Sequence, residues 1–352
     1  MNWRRAATIG CAVLLSLAAL VSAASSGAVS RDRGNARHSP RGWAVGSRLK
    51  VPRSTYVATV GCARARNCVG SADLQFPFRT RIFSVMHGHI RRVLTRSFHL
   101  NFLGTDCLDR TRCLLVGNHV VHAAVLPWHN GRFGALITTF ALDGLLGIDC
   151  PTSSGCIAVG TNAGYGGIAM LDPTGKIVAT TDTRPYPAEF DGVACWTPRR
   201  CLAVGDAFHG NTIATLLING KPQTPVRVKR HSQLDKIACG GHGLCIASGD
   251  TYKGRGIVAE FRRGQLRRVR TIKQFLYGAA CPTPSTCILG GATSPARGAT
   301  GIFRVVKRGR LKKPIAVLHT NGVGDTSCPT PTRCVSSSGT GKRGEILTLA
   351  HH

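Results

Sequence analysis

Residues 148–160 read Ile-Asp-Cys-Pro-Thr-Ser-Ser-Gly-Cys-Ile-Ala-Val-Gly. Cys150 and Cys156 bracket five residues built for a turn, and a short β-prone run ending in glycine follows. The unit recurs at Cys62/Cys68, Cys107/Cys113, Cys195/Cys201, Cys239/Cys245, Cys281/Cys287 and Cys328/Cys334. Successive first cysteines lie 45, 43, 45, 44, 42 and 47 residues apart. Self-similarity at that period, carried by short β-like segments, points to four-stranded propeller blades. Helical repeats are disfavoured by 42 glycines, 17 prolines and the lack of a long apolar pattern at helical period. The expected fold is all-β: a seven-bladed β-propeller of four-stranded antiparallel blades.

Aligned on the first cysteine, the units share an apolar column five residues upstream: Val57, Phe102, Leu145, Phe190, Leu234, Leu276 and Val323. Glycines 104, 147, 192 and 278 sit between that column and the cysteine. A strand packed closely between neighbours, the innermost of each blade, gives this pattern. The second strand leaves the cysteine turn and is expected to end at glycines 117, 160, 205, 249 and 291, with a shorter first copy at Val69-Gly70. A third strand follows, then a hairpin marked by Gly88, Gly131, Gly175, Gly220, Gly264 or Gly309, and a more polar fourth strand such as 266–272 or 311–317. The seventh unit stops after its third strand, and Ser47-Arg48-Leu49-Lys50-Val51 precedes the first unit. Closure of the last blade by that N-terminal strand is expected, since it removes an open edge. The rival is that residues 43–46 are a decayed strand of an eighth unit.

The motifs Cys-Pro-Thr-Pro-Thr-Arg-Cys (328–334) and Cys-Ile-Ala-Val-Gly (156–160) resemble the cysteine-paired repeat of secreted bacterial propeller proteins. In architecture those are similar to sialidase-like and photosystem-assembly-factor-like propellers. The resemblance covers about residues 47–350 and implies a fold, not an activity. The aspartate-box turn of sialidase-type propellers, Ser-x-Asp-x-Gly-x-x-Trp, has no copy here.

Residues 1–23 read as a signal peptide: Arg4-Arg5, an apolar stretch from Ala6 to Leu20, then Val21-Ser22-Ala23 for cleavage. Residues 24–41 read as a flexible basic leader, and residues 42–352 as one propeller domain. The protein is therefore expected to be secreted, without a transmembrane span, and monomeric. Setting aside Cys11, in the signal segment, leaves fourteen of fifteen cysteines in seven Cys-x5-Cys pairs. In an oxidising compartment these read as a disulfide framework, with both cysteines of a pair at the base of a turn. Bridges between neighbouring blades and metal binding are the alternatives.

Formal charge is +30 for the chain, and +28 once Arg4 and Arg5 are cleaved away. Such an excess attracts anionic polymers. Arg262, Arg263, Arg267, Arg268 and Arg270 cluster in the fifth unit, and Lys307, Arg308, Arg310, Lys312 and Lys313 in the sixth. Adjacent blades would merge them into a stripe for anionic envelope polymers or glycans. Nucleic acid ranks lower, because aromatics are only 6% of the chain and base stacking needs them.

For catalysis the sequence offers little. Glu189, with Asp191 and Tyr186 nearby, is the best acid/base candidate, and its bland reading is an exposed loop acid. Asp106, Asp149, Asp191, Asp235 and Asp325 could line one channel mouth and hold calcium, but their registers scatter, which favours ordinary strand-end use. No metal site and no cofactor is expected. The sequence thus favours a binding or scaffold module over a propeller glycoside hydrolase or lyase working at the channel mouth.

Overall fold

The structure, a computed structural model, describes residues 42–74, 79–96, 100–207, 210–293 and 299–352. The expected signal peptide and leader lie outside them. Seven innermost strands surround an axis: Tyr56–Arg64, Leu100–Cys107, Gly144–Thr152, the second half of Ile177–Thr197, Ser232–Cys239, Phe275–Thr283 and Gly322–Thr330. Each touches the next, and the seventh touches the first, so the ring is closed. Within a blade, each strand pairs antiparallel with its successor.

Closure runs as the sequence predicts. Trp43–Val51 pairs antiparallel with Gly344–His351, from Trp43 opposite His351 to Val51 opposite Gly344. The strand starts four residues earlier than Ser47, so residues 43–46 belong to this closing strand and not to an eighth unit. Arg48 Nη1 lies 3.4 Å from Glu345 Oε2, pinning the two chain ends.

The core lies between blades. Seven apolar clusters form, one at each blade seam. Val57, Phe102, Leu145, Phe190, Leu234, Leu276 and Val323, the column read from the sequence, are all 0% exposed. The hairpins between third and fourth strands also follow expectation. At Asn130-Gly131 and Asn219-Gly220 both residues have positive φ, the mirror-image turn that matches strand twist.

All seven Cys-x5-Cys pairs are bridged locally, with Cα–Cα separations of 3.8 to 4.1 Å. Four of them, Cys62/Cys68, Cys107/Cys113, Cys195/Cys201 and Cys239/Cys245, are directly opposed in the ladder.

Three local expectations need correction, and one local asymmetry goes beyond them. The asymmetry is within the cysteine pairs: the two flank the turn as the sequence predicts, but the second is the more buried in every pair. Cys113, Cys201, Cys245 and Cys287 are buried, at 0%, 4%, 0% and 1% exposed. Each is packed into an apolar cluster at a blade seam. The reason is position: the second cysteine opens the second strand, whose central residues are buried along its length.

Glycine does not end the second strand: Arg112–His119, Gly155–Asn162, Arg200–Ala207 and Leu244–Thr251 each run two residues past it. Instead the glycine faces a bulge in the innermost strand, where the register jumps from Phe102/Gly117 to Gly104/Val116, and likewise in blades 3 to 6. A Cβ on Gly205 would lie 2.8 Å from Phe190 Cα and closer still to the Glu189 carbonyl oxygen. The first second strand is not short, since Ser71 to Leu74 continue it to Asn67–Leu74. The expected 311–317 strand is split into Arg310–Leu311 and Ile315–Val317, because Pro314 has no amide for the ladder.

The bulge makes a prediction. Gly205→Ala should destabilise the protein by about 3 kcal/mol in denaturant unfolding, as an overpacked backbone contact. Gly144→Ala, whose Cβ would meet only Asn118 Cβ at 3.5 Å, should be near neutral. Equal effects would remove the bulge argument.

Candidate functional site

The innermost strands leave an axial channel of about 270 Å3, lined by residues from all seven blades. Its chemistry follows from two local features of those strands.

The first is the residue just before the first cysteine. Asp106 Oδ2 accepts the Cys150 amide at 2.6 Å, and Asp149 Oδ2 accepts the Cys195 amide at 3.2 Å. In blade 7, Ser327 Oγ accepts the Cys62 amide at 3.1 Å. Each bond ties one blade to the next at the channel wall. Asp325 does the same from a shifted position, accepting the Thr59 hydroxyl at 2.6 Å and the Val60 amide at 3.3 Å. Lys236 of blade 5 reaches across to the other side of the ring. Its Nζ donates to the Leu103 carbonyl of blade 2 at 3.1 Å and stands 4.0 Å from Asp325 Oδ1 of blade 7. The scattered aspartates therefore have distinct duties, and Asp106, Asp149 and Asp325 serve as clasps between blades.

The second feature is the bulge. A bulge re-aims the extra residue's side chain, and in blades 4 and 5 that residue is Asp191 and Asp235. The ladder sets Glu189 opposite Asp206 and Gln233 opposite Asp250. These five acids gather on the two inner strands of blades 4 and 5, where Asp191 and Asp235 are next in sequence to Gly192 and Lys236 of the channel wall. Glu189 is exposed and the other four are part-buried. Burial pushes Asp191 well above the usual carboxylate range, and the charges of Asp235, Glu189 and Asp206 push it further, against Lys236. Burial, then Asp250 and Asp206, raises Asp235 to about 7. Asp206 is raised to about 6 by burial and by Glu189 and Asp250. At the clasp level, burial raises Asp106 to about 6 against the amides of Cys150 and Cys107. Asp149 stands well above its ordinary value through burial and the charge of Asp106. Three of the chain's sixteen acids, Asp106, Asp149 and Asp325, thus line the channel, and Asp191, Asp206, Asp235 and Asp250 are part-buried near it, while Glu189 is exposed.

Among the residues singled out from sequence, Glu189 and Asp191 come together, while Tyr186 does not join them. It is 48% exposed, and its carbonyl accepts the Thr183 hydroxyl at 2.7 Å. The cysteines divide by position in the pair. The first cysteines Cys62, Cys239, Cys281 and Cys328 border the channel. Cys113, Cys201, Cys245 and Cys287 do not; they are buried in the seams. The tyrosines that feel the acid cluster are Tyr252 and Tyr277, whose hydroxyls are raised by burial and by Asp250. The sequence reading missed Asp206, Asp250 and both tyrosines. The repeated Gly-Asp at 205–206 and 249–250, in one register of adjacent units, was the available signal. Among the described residues no group of three or more His, Cys, Asp or Glu is arranged to hold a metal ion.

The basic residues lie elsewhere. Arg262, Arg263, Arg267, Arg268, Lys307, Arg308, Arg310, Lys312 and Lys313 are exposed. Arg270 Nη2 donates to the Gly309 carbonyl at 2.9 Å, joining the blade 5 group to the blade 6 hairpin. Lys307, Arg308, Arg310 and Lys312 rim an open hollow of about 590 Å3. Arg262 alone of the ten pairs with an acid among the described residues, Glu260, at 3.1 Å.

No family model matches the sequence, and no curated protein does. Solved structures do match in shape. The WD40 β-propeller domain of Doa1 has a TM-score of 0.59 at 12% identity, over 88% of this chain and 97% of that one. YCF48, solved bound to D1 peptide, has a TM-score of 0.56 at 10% identity, over 88% and 97%. The β-propeller domain of Cps50 (Swd1) from Myceliophteria thermophila has a TM-score of 0.60 at 9% identity, over 88% and 99%. At such identities the likeness establishes the fold alone: the chain folds as a β-propeller.

Proposed function

We propose that this chain is a secreted binding or scaffold module, and that the basic stripe on blades 5 and 6 holds an anionic polymer of the cell envelope. A rigid propeller suits a binding role. Seven disulfides indicate an oxidising compartment. No helix among the described residues is long and apolar enough to cross a membrane. The observation that carries the reading is the segregation of charge. Asp106, Asp149 and Asp325 line the channel and Asp191 and Asp235 are part-buried beside it, so the outer surface is more one-signed than the formal charge of +30 suggests. Exposed arginine and lysine without carboxylate partners hold phosphate or carboxylate groups through salt-sensitive contacts.

A second reading is acid/base catalysis on a glycan at the channel mouth. The gathering of Glu189, Asp191, Asp206 and Asp235, with Asp206 near 6 and Asp235 near 7, favours it. One experiment separates the two. On an array of teichoic acid, heparin, DNA and neutral glycans, the first reading expects binding to the anionic polymers that weakens steeply with salt. Replacing Arg267, Arg268, Arg308 and Arg310 with alanine should weaken it about tenfold or more. No binding at low salt would remove the stripe. Release of new chain ends, lost in Asp191→Asn, would instead favour the enzyme.

A further inference from the structure

The seam between blades 7 and 1 is packed differently from the others. At five seams the glycine of a third-to-fourth hairpin rests on the third strand of the preceding blade. A Cβ there would meet Met86 at Gly131, Pro127 at Gly175, Met170 at Gly220, Leu216 at Gly264 and Glu260 at Gly309. At the sixth seam the chain ends take the hairpin's place. At the seventh, Gly88 of blade 1 meets only Arg66 of its own blade, at 3.9 Å. The position that carries Met170 and Leu216 in blades 3 and 4 is Thr348 in blade 7, each one ladder step past the second cysteine's partner. Thr348 is shorter, and its hydroxyl turns away to the closing strand, bonding the Ser47 carbonyl at 3.2 Å and standing 3.1 Å from the Ser47 hydroxyl. A cavity of about 290 Å3 results.

Its walls are of two kinds. Val85, Val335, Ile346 and Leu349, all under 5% exposed, form apolar walls. Arg66 and Arg333, from the cysteine turns of blades 1 and 7, are exposed and stand at the opening. No acidic residue lines the cavity, and neither arginine pairs with a carboxylate among the described residues.

We propose that this seam cavity binds a small amphipathic anion, its apolar body between the blades and its carboxylate or phosphate head on Arg66 and Arg333. At about 30 Å3 per water-sized atom, the space suits roughly ten non-hydrogen atoms. Small-molecule sites share this make-up of apolar walls with a few convergent polar groups. Two guanidiniums at one opening suit an oxyanion. The inference is independent of the polymer stripe, which lies on other blades.

Calorimetric titration of the oxidised full chain with sodium decanoate, decyl phosphate, decyltrimethylammonium and decanol tests it. One equivalent of decanoate or of decyl phosphate should bind saturably, and the comparison of the two identifies the head group. The cation and the alcohol should bind at least about tenfold more weakly. Thr348→Met, which restores the side chain found in blade 3, should abolish the saturable site. Arg66→Ala with Arg333→Ala, both at exposed positions, should weaken the anions by about tenfold or more without lowering the melting temperature. Binding of many equivalents without saturation, equal binding of the cation, or full affinity in the arginine double variant would overturn the proposal.

Discussion

Full reduction of the oxidised protein should unfold it at 37 °C, with loss of the β-sheet circular dichroism signal. Each clasp closes a loop of sequence separation 6 between two strands of one hairpin. The chain-entropy estimate for so small a loop is about 2 kcal/mol. Seven in one chain total on the order of 15 kcal/mol if they act independently, as much as the whole net stability of a typical domain. The blades need this help, because a lone small sheet is marginal and each blade buries its apolar faces only against its neighbours. Removing one clasp, by Cys150→Ala with Cys156→Ala, should cost about 2 kcal/mol and leave the fold intact. A reduced chain that melts within a few degrees of the oxidised one would show that the seams alone hold the ring.

The folded protein should be more stable near pH 5 than near pH 8. In the unfolded chain the aspartates ionise near 4. In the folded chain Asp149 and Asp191 are held well above that range, Asp106 at about 6 and Asp235 at about 7. Folding therefore favours the protonated form of each. That contribution is complete below the unfolded value near 4 and is lost as pH rises through the folded values to about 7. For Asp235 the upper limit is roughly 4 kcal/mol, at about 1.4 kcal/mol per pKa unit. The carboxyls share one field, so the total is less than their sum. A fall in melting temperature on the order of 5–10 °C between pH 5 and pH 8 is expected. Asp191→Asn with Asp235→Asn should flatten part of that slope, leaving the share of Asp106 and Asp149, and raise the melting temperature only at the higher pH. A double variant with the wild-type slope would mean that these acids are solvated.

The repeat was legible because it is local. A clasp joins cysteines six residues apart, and the apolar column five residues upstream marks the same buried point in every unit, whatever the loops do. What the spacing did not reveal is that the clasp is lopsided. Cys113, Cys201, Cys245 and Cys287 are buried in the seams, because only the assembled ring covers the start of each second strand. The closing strand was legible from a missing fourth strand at one end and a spare strand at the other. The second-strand glycine was misread as a stop. Chain-breaking and close backbone approach leave the same residue in the sequence, and only the register of the facing strand tells them apart. The catalytic candidates were half visible. Glu189 and Asp191 are neighbours in sequence, whereas Asp206 and Asp250 join them only once blades 4 and 5 stand side by side.

By itself, then, the sequence determined the blade, the number of blades, the covalent clasps and the manner of closure, because periodicity and short-range spacing carry that information. Tertiary structure alone decided which way the charges face. Asp106 and Asp149 look outwardly like Asp191 and Asp235, but a one-residue bulge and the distance along the strand send the first pair to backbone amides and the second to an acid cluster. The cavity at the last seam was likewise invisible beforehand. It arises from a threonine too short to fill a gap that exists only when blade 7 meets blade 1, from opposite ends of the chain.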